Sequence, residues 1–127
     1  MAKEVQIVNG ILTGVDNPND ISCFVPGVPT VSMLMVALLP VRSFTLPINL
    51  TGSRADAAVA ATGSTTFTIK KGVVDIGTIV FAPAATTGTF TLPSATSFTN
   101  TDKLTVVAPV VPDGTLADIS FTLAGTR

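Results

Sequence analysis

Alternation interrupted by proline and glycine is the feature that most limits the folds open to this chain. Phe44, Leu46, Ile48 and Leu50 are separated by Thr45, Pro47 and Asn49. A period of two places those four apolar side chains on one face of an extended strand. The same pattern returns at Phe67 and Ile69, at Ile79 and Phe81, at Phe90 and Leu92, at Leu104 and Val106, and at Ile119, Phe121 and Leu123. Turn signals fall between these stretches: Lys71-Gly72-Val73-Val74-Asp75, then Pro83, Pro93, Pro109 and Pro112-Asp113-Gly114. Short strands with turns about every 8–12 residues predict an all-β, antiparallel sandwich or barrel, of jelly-roll or immunoglobulin-like topology. About seven or eight strands are expected. Gly72 is suited to the positive φ of a hairpin turn between the strands around Phe67 and Ile79. Phe67, Phe81, Phe90, Phe98 and Phe121 are expected to meet in one core, each buried ring contributing roughly 1.5–3 kcal/mol of transfer free energy.

The first thirty residues read differently. Val5, Ile7 and Val8 suit a short strand, and Ile11 and Leu12 another. The run Asp16-Asn17-Pro18-Asn19-Asp20 is a dense turn signal. Pro26, Gly27 and Pro29 deny this stretch a helix, because proline fixes φ and lacks a backbone donor. Residues 1–30 are therefore expected to form an extended N-terminal arm, and residues 31–127 the sandwich domain. The run Val31 to Leu39 reads as a buried strand, and Ala55 to Ala61, bounded by Gly52 and Gly63, as a long connection. Pro47 suggests an edge strand or a bulge.

Composition narrows the function. Only 12% of the 127 residues are charged, about half the usual supply. Twenty threonines cover much of the surface instead. A freely soluble monomer normally keeps a well-charged skin, so much of this exterior is expected to be covered by other subunits. A net charge of −1 offers no general attraction for a phosphate backbone, and no nucleic-acid partner is expected. With no His and one Cys, zinc sites of the His- and Cys-rich kind and intrachain disulfides are excluded. The Met-Ala-Lys-Glu start lacks the basic and then apolar pattern of a signal peptide. The longest apolar run, Val31 to Leu39, is too short for a membrane helix of about 20 residues.

No chemistry stands out. Catalytic, cofactor and metal residues are all expected to be none. The carboxylates are Glu4, Asp16, Asp20, Asp56, Asp75, Asp102, Asp113 and Asp118. Most fall at turns, where Asp accepts from backbone donors. Asp113 and Asp118 are the only pair worth weighing for glycoside hydrolysis, and a turn role fits them better. Asp16 to Asp20 supplies oxygen ligands for Ca²⁺ but lacks the glycine and distal glutamate of an EF-hand loop. Cys23 reads as a small hydrophobe with no activating base. Asn49-Leu50-Thr51 matches the glycosylation triplet, a chance match without a secretory signal. Lys70, Lys71 and Lys103 could cluster, but the absence of Tyr and Trp removes stacking platforms for bases or sugars.

Thr66-Phe-Thr-Ile-Lys-Lys-Gly, Ile76-Gly-Thr-Ile-Val-Phe-Ala, Gly88-Thr-Phe, Asp102-Lys-Leu-Thr-Val-Val-Ala-Pro and Leu116-Ala-Asp-Ile-Ser-Phe-Thr-Leu-Ala-Gly-Thr-Arg together resemble a small β-domain of tailed-bacteriophage virion proteins. The resemblance runs from Pro47 to Arg127. In similar sequences the hairpin turn often reads Lys-Asn-Gly, whereas Lys71 here directly precedes Gly72. It implies a structural role in the virion, either as a capsid decoration (cement) protein or as a tail or fibre component that could bind a host glycan. The implied partners are the major capsid protein or other virion proteins, with a homotrimer at sites of local three-fold symmetry. No functional residue carries over, no enzymatic activity is implied, and the implied location is the virion.

Overall fold

The computed structural model describes the backbone of residues 5–8 and 11–14, and residues 18–127 in full. Strand β1 (Val5–Val8) pairs antiparallel with β2 (Ile11–Gly14). The remaining strands are β3 (Ile21–Val25), β4 (Leu34–Leu38), β5 (Phe44–Leu46), β6 (Arg54–Val59), β7 (Thr65–Lys71), β8 (Val74–Phe81), β9 (Thr89–Thr91), β10 (Thr96–Phe98), β11 (Leu104–Val107) and β12 (Ala117–Leu123). The described residues are all-β, as the alternation predicts. The strands outnumber the seven or eight expected because β3 and β6 lack a clear alternation of large apolar residues and the three-residue β10 is too short to show a period.

Two antiparallel sheets share one core. The larger runs β4-β11-β7-β8-β9 and the smaller β3-β12-β6, while β5 and β10 form a separate pair. The inward residues are those of the period-two pattern: Phe67 and Ile69 on β7, Ile79 and Phe81 on β8, Leu104 and Val106 on β11, Ile119, Phe121 and Leu123 on β12, all buried in one cluster. Phe67 and Phe81 meet edge to face at 5.9 Å, and Phe44 stacks on Phe98 at 5.0 Å. Four of the five expected phenylalanines are buried there, and Phe90 packs against them partly covered. The β7–β8 hairpin turns on Gly72 and Val73. Only Gly72 has a positive φ, 62°, which is the pattern of a type II′ turn. A type I′ turn would need positive φ at both central positions, and the missing Asn is consistent with its absence.

Three expectations change. Ile21–Val25, assigned to the arm, is a strand of the smaller sheet, paired along its length with β12 from Val25↔Ile119 to Ile21↔Leu123. Its alternation was hidden because Phe24 points outward, 61% exposed. The Ala55–Ala61 stretch is not a connection: Arg54–Val59 is strand β6, with Ala55 and Ala57 facing the core. The reason for alanine is visible at Gly88. A Cβ there would lie 2.8 Å from Ala55 Cβ and 3.1 Å from both Ile79 Cγ2 and Phe81 Cζ, so small residues are needed on both sides of a close backbone approach. The run Val31 to Leu39 is not a buried strand. β4 is the outermost strand of the larger sheet, and only Met35 within it is fully buried.

The alternation from Phe44 also stops early. Pro47 opens a 3-10 turn over Ile48–Leu50, with Asn49 at φ 54° and Leu50 at φ 48°. Asn49 donates its N–H to the Leu92 carbonyl at 2.8 Å, and its Oδ1 accepts from the Leu92 N–H at 3.2 Å. That clamp and the burial of Leu50 hold a left-handed pair that a β-rich chain would otherwise avoid.

Candidate interaction surface

Residues 26–41 and 104–112 contain no charged side chain. The fold lays these two segments side by side, because β11 pairs with β4. Beyond the strands they stay joined: Ser32 N–H donates to the Pro109 carbonyl at 3.0 Å, and Ala108 N–H to the Met33 carbonyl at 2.8 Å. Val28, Val31, Leu34, Leu39, Val41, Val110 and Val111 stand on them, between 42% and 83% exposed. Isolated exposed apolar residues need no explanation. Seven on two adjoining uncharged segments mark a surface suited to association.

The edge itself is only lightly guarded. β4 carries a bulge, its register shifting between Val36 and Leu34 opposite Val106 and Val107. Bulges hinder pairing with a further strand. The Met35 carbonyl accepts from the Cys23 thiol at 3.1 Å. Burial pushes that thiol's pKa up, so Cys23 is a weak nucleophile, in keeping with its reading as a small hydrophobe. β4 itself has neither lysine nor proline to discourage pairing.

The ionisable residues singled out from the sequence serve the frame. Asp113 accepts from Thr62 N–H and Oγ1–H, Gly63 N–H, Thr115 N–H and Oγ1–H, and Leu116 N–H, at 2.6–3.1 Å. These donors, led by the Thr115 hydroxyl and the Gly63 amide, hold its carboxyl far below the usual carboxylate range. A group so fully committed is unsuited to act as a general acid. Asp118, at φ 55°, accepts from Gly27 N–H at 2.7 Å and donates its own N–H to the Gly27 carbonyl at 3.1 Å. Asp113 and Asp118 thus each clasp a different loop. Asp102 accepts from the Thr99 N–H and hydroxyl, which lowers its pKa. The lysines do not make a bare basic cluster: Lys70 pairs with Asp75 at 3.1 Å, and Lys71 with Asp102 at 3.8 Å. Lys71 also sits 5.6 Å above the Phe98 ring. Of the proposed cation loop, Asp16 and Asn17 lie outside the described residues, as does Glu4. Among the described residues no three His, Cys, Asp or Glu side chains converge, and no helix is long and apolar enough to cross a membrane.

Open grooves also lie on the surface of the described residues, and two bear on function. One, about 450 Å³, lies beside β6 and β12, where Asp20, Arg54, Asp56, Ser120 and Thr122 line it. The exposed Phe24 pairs across the strands with Ser120. The other, about 390 Å³, lies where the chain leaves β4. The sequence offered one signal for the apolar surface, the charge-free runs, but nothing that told which of their residues face outward. Compared with protein-family models, with curated proteins and with solved structures, the chain finds no match in any of the three.

Proposed function

We propose that this chain is a structural subunit of a tailed-bacteriophage particle, a capsid decoration protein that binds the shell non-covalently and assembles as a homotrimer. The observation that carries the reading is the uncharged apolar surface along β4 and the 108–112 loop. Such a surface gains by burial against a neighbour, at about 25 cal/mol per Å² of apolar area removed from water. The sequence resemblance over Pro47 to Arg127 supplies the virion setting, and the committed state of Asp113 supports a structural rather than a catalytic part. The reading is tested on purified particles by mass spectrometry and cryo-EM. Density on the capsid lattice is the expected result; presence only at the tail, or absence, rejects it. In isolation the protein should scatter light as a multiple of its 12.9 kDa mass.

A second reading, a tail or fibre component that binds a host glycan, draws on Phe24. An exposed ring beside the Arg54–Asp56 groove offers an apolar face to a sugar with polar groups at hand. A glycan array separates the two: retained binding that Phe24→Ala abolishes favours the tail reading.

A further inference from the structure

We infer that the groove at the end of β4 is a carboxylate-binding site, which takes an acidic, partly apolar segment of a partner protein. Its polar lining is Arg42, Arg127 and Asn19, and its apolar lining includes Leu38, Val41 and Phe44. Among the described residues no acidic side chain lines it, and neither guanidinium has a carboxylate partner. The described side chains of the lining, two guanidiniums and no carboxylate, make the groove cationic.

One of the two is held in place. Arg127 Nε–H donates to Asn19 Oδ1 at 3.3 Å. The backbone beneath is pinned by Asn19 N–H to the Gly125 carbonyl at 2.9 Å, and by Thr45 and Thr126, which exchange N–H···O bonds at 2.8 and 3.0 Å. Among the described residues the terminal N–H groups of the fork have no acceptor, and a guanidinium fork matches a carboxylate in bidentate geometry. The surroundings add to the field. Leu38 pairs with Leu104, so Lys103 lies at the same end of the sandwich, and it too has no carboxylate partner among the described residues. Lys70–Asp75 and Lys71–Asp102 at that end are internally neutralised. A chain of net charge −1 thus concentrates unneutralised cations around one groove.

The chemistry selects among anions. A phosphate backbone is held by many cations spread along it, and proteins that bind it typically make about 6–10 phosphate contacts; two arginines over an apolar lining are poorly suited. A second copy of this chain could offer its exposed Val73-Val74-Asp75 turn only by breaking the Lys70–Asp75 pair, which would bring an unpaired Lys70 up to a cationic groove. An acidic side chain flanked by apolar residues satisfies both the fork and the apolar lining. The inference does not depend on the virion reading.

The full chain is titrated with the blocked peptide Ac-Val-Asp-Glu-Leu-NH2, with its amide analogue Ac-Val-Asn-Gln-Leu-NH2, and with inorganic phosphate, while the arginine Nε–H resonances are followed by NMR. The acidic peptide is expected to shift Arg42 and Arg127 and the amide analogue to leave them in place. Arg42→Gln and Arg127→Gln should each weaken binding at least about tenfold, the scale of a well-placed anchor. Arg54→Gln, in the other groove, should leave it unchanged. Absence of any shift at 10 mM, equal shifts from the amide peptide, indifference to Arg42→Gln, or phosphate binding as tightly as the peptide would each overturn the assignment.

Discussion

At one edge of the five-stranded sheet, β9 is continuous with residues 86–88, which cross to the other sheet; at the opposite edge, β4 simply ends the sheet. On the crossing side, Ala57 N–H donates to the Thr86 carbonyl at 2.8 Å and Gly88 N–H to the Ala55 carbonyl at 3.0 Å. Thr86 to Gly88 therefore extends the smaller sheet beyond β6, and Thr89–Thr91 then joins the larger one. The two layers are stitched by continuous backbone. On the β4 side the chain passes between the layers only through the loop of residues 26–33 from β3 to β4, the layers touch through the Cys23–Met35 contact, and exposed valines and leucines stand beside it. Closing an edge with the chain's own backbone removes a pairing site. Leaving the other uncharged keeps one available, an asymmetry that suits the proposed role as a subunit.

The comparison can be broken first by core truncation. Phe81→Ala, on the stitched side, should cost about 3–5 kcal/mol in urea denaturation, and Met35→Ala, at the bulged edge strand, about 2 kcal/mol. Equal losses would mean that the two sides are equally consolidated. Gly88→Val should cost about 1–3 kcal/mol, because the added side chain meets Ala55, Ile79 and Phe81. Pairing it with Ala55→Gly should recover part of that loss; no recovery would place the strain elsewhere.

Asp113 sharpens the picture through pH. It fastens the 60–64 connection, which also holds the crossing side through Ala84 N–H to the Ala61 carbonyl at 2.8 Å. Its pKa is depressed in the folded protein, so its contribution is complete above the unfolded value near 3.9 and is lost as pH falls below it. The melting temperature of Asp113→Asn should lie below that of the parent at pH 7, and the gap should narrow progressively below about pH 4. A gap that is constant with pH would assign the loss to shape rather than charge. The smallest effect on folding is expected at the open edge. Leu39→Lys and Val111→Lys should change stability by no more than about 0.5 kcal/mol, yet reduce the oligomeric mass seen by light scattering. Unchanged assembly would exclude that edge as the contact.

The same contrast explains what was legible in the sequence. β7, β8 and β12 were readable because large apolar residues alternate with threonine, and burial on one face preserves that rhythm. β6 was not, since alanine has weak strand preference and is there to admit Gly88. β3 was not, because an outward phenylalanine disguised the alternation of Ile21, Cys23 and Val25. The apolar edge lay in plain sight as a charge-free run, but a run of valine and leucine reads alike whether a second layer covers it or not. The groove at Arg42 and Arg127 was invisible, since it joins residues from distant parts of the chain.

The place of β12 in its sheet has a further consequence. It lies between β3 and β6, and it joins Ile21 to Leu123 across most of the described sequence. Pairing so distant in sequence must wait for the closure of a long loop, which slows folding. Until β12 docks, β3 and β6 lack the strand that lies between them, and their facing edges stay open to any other extended chain.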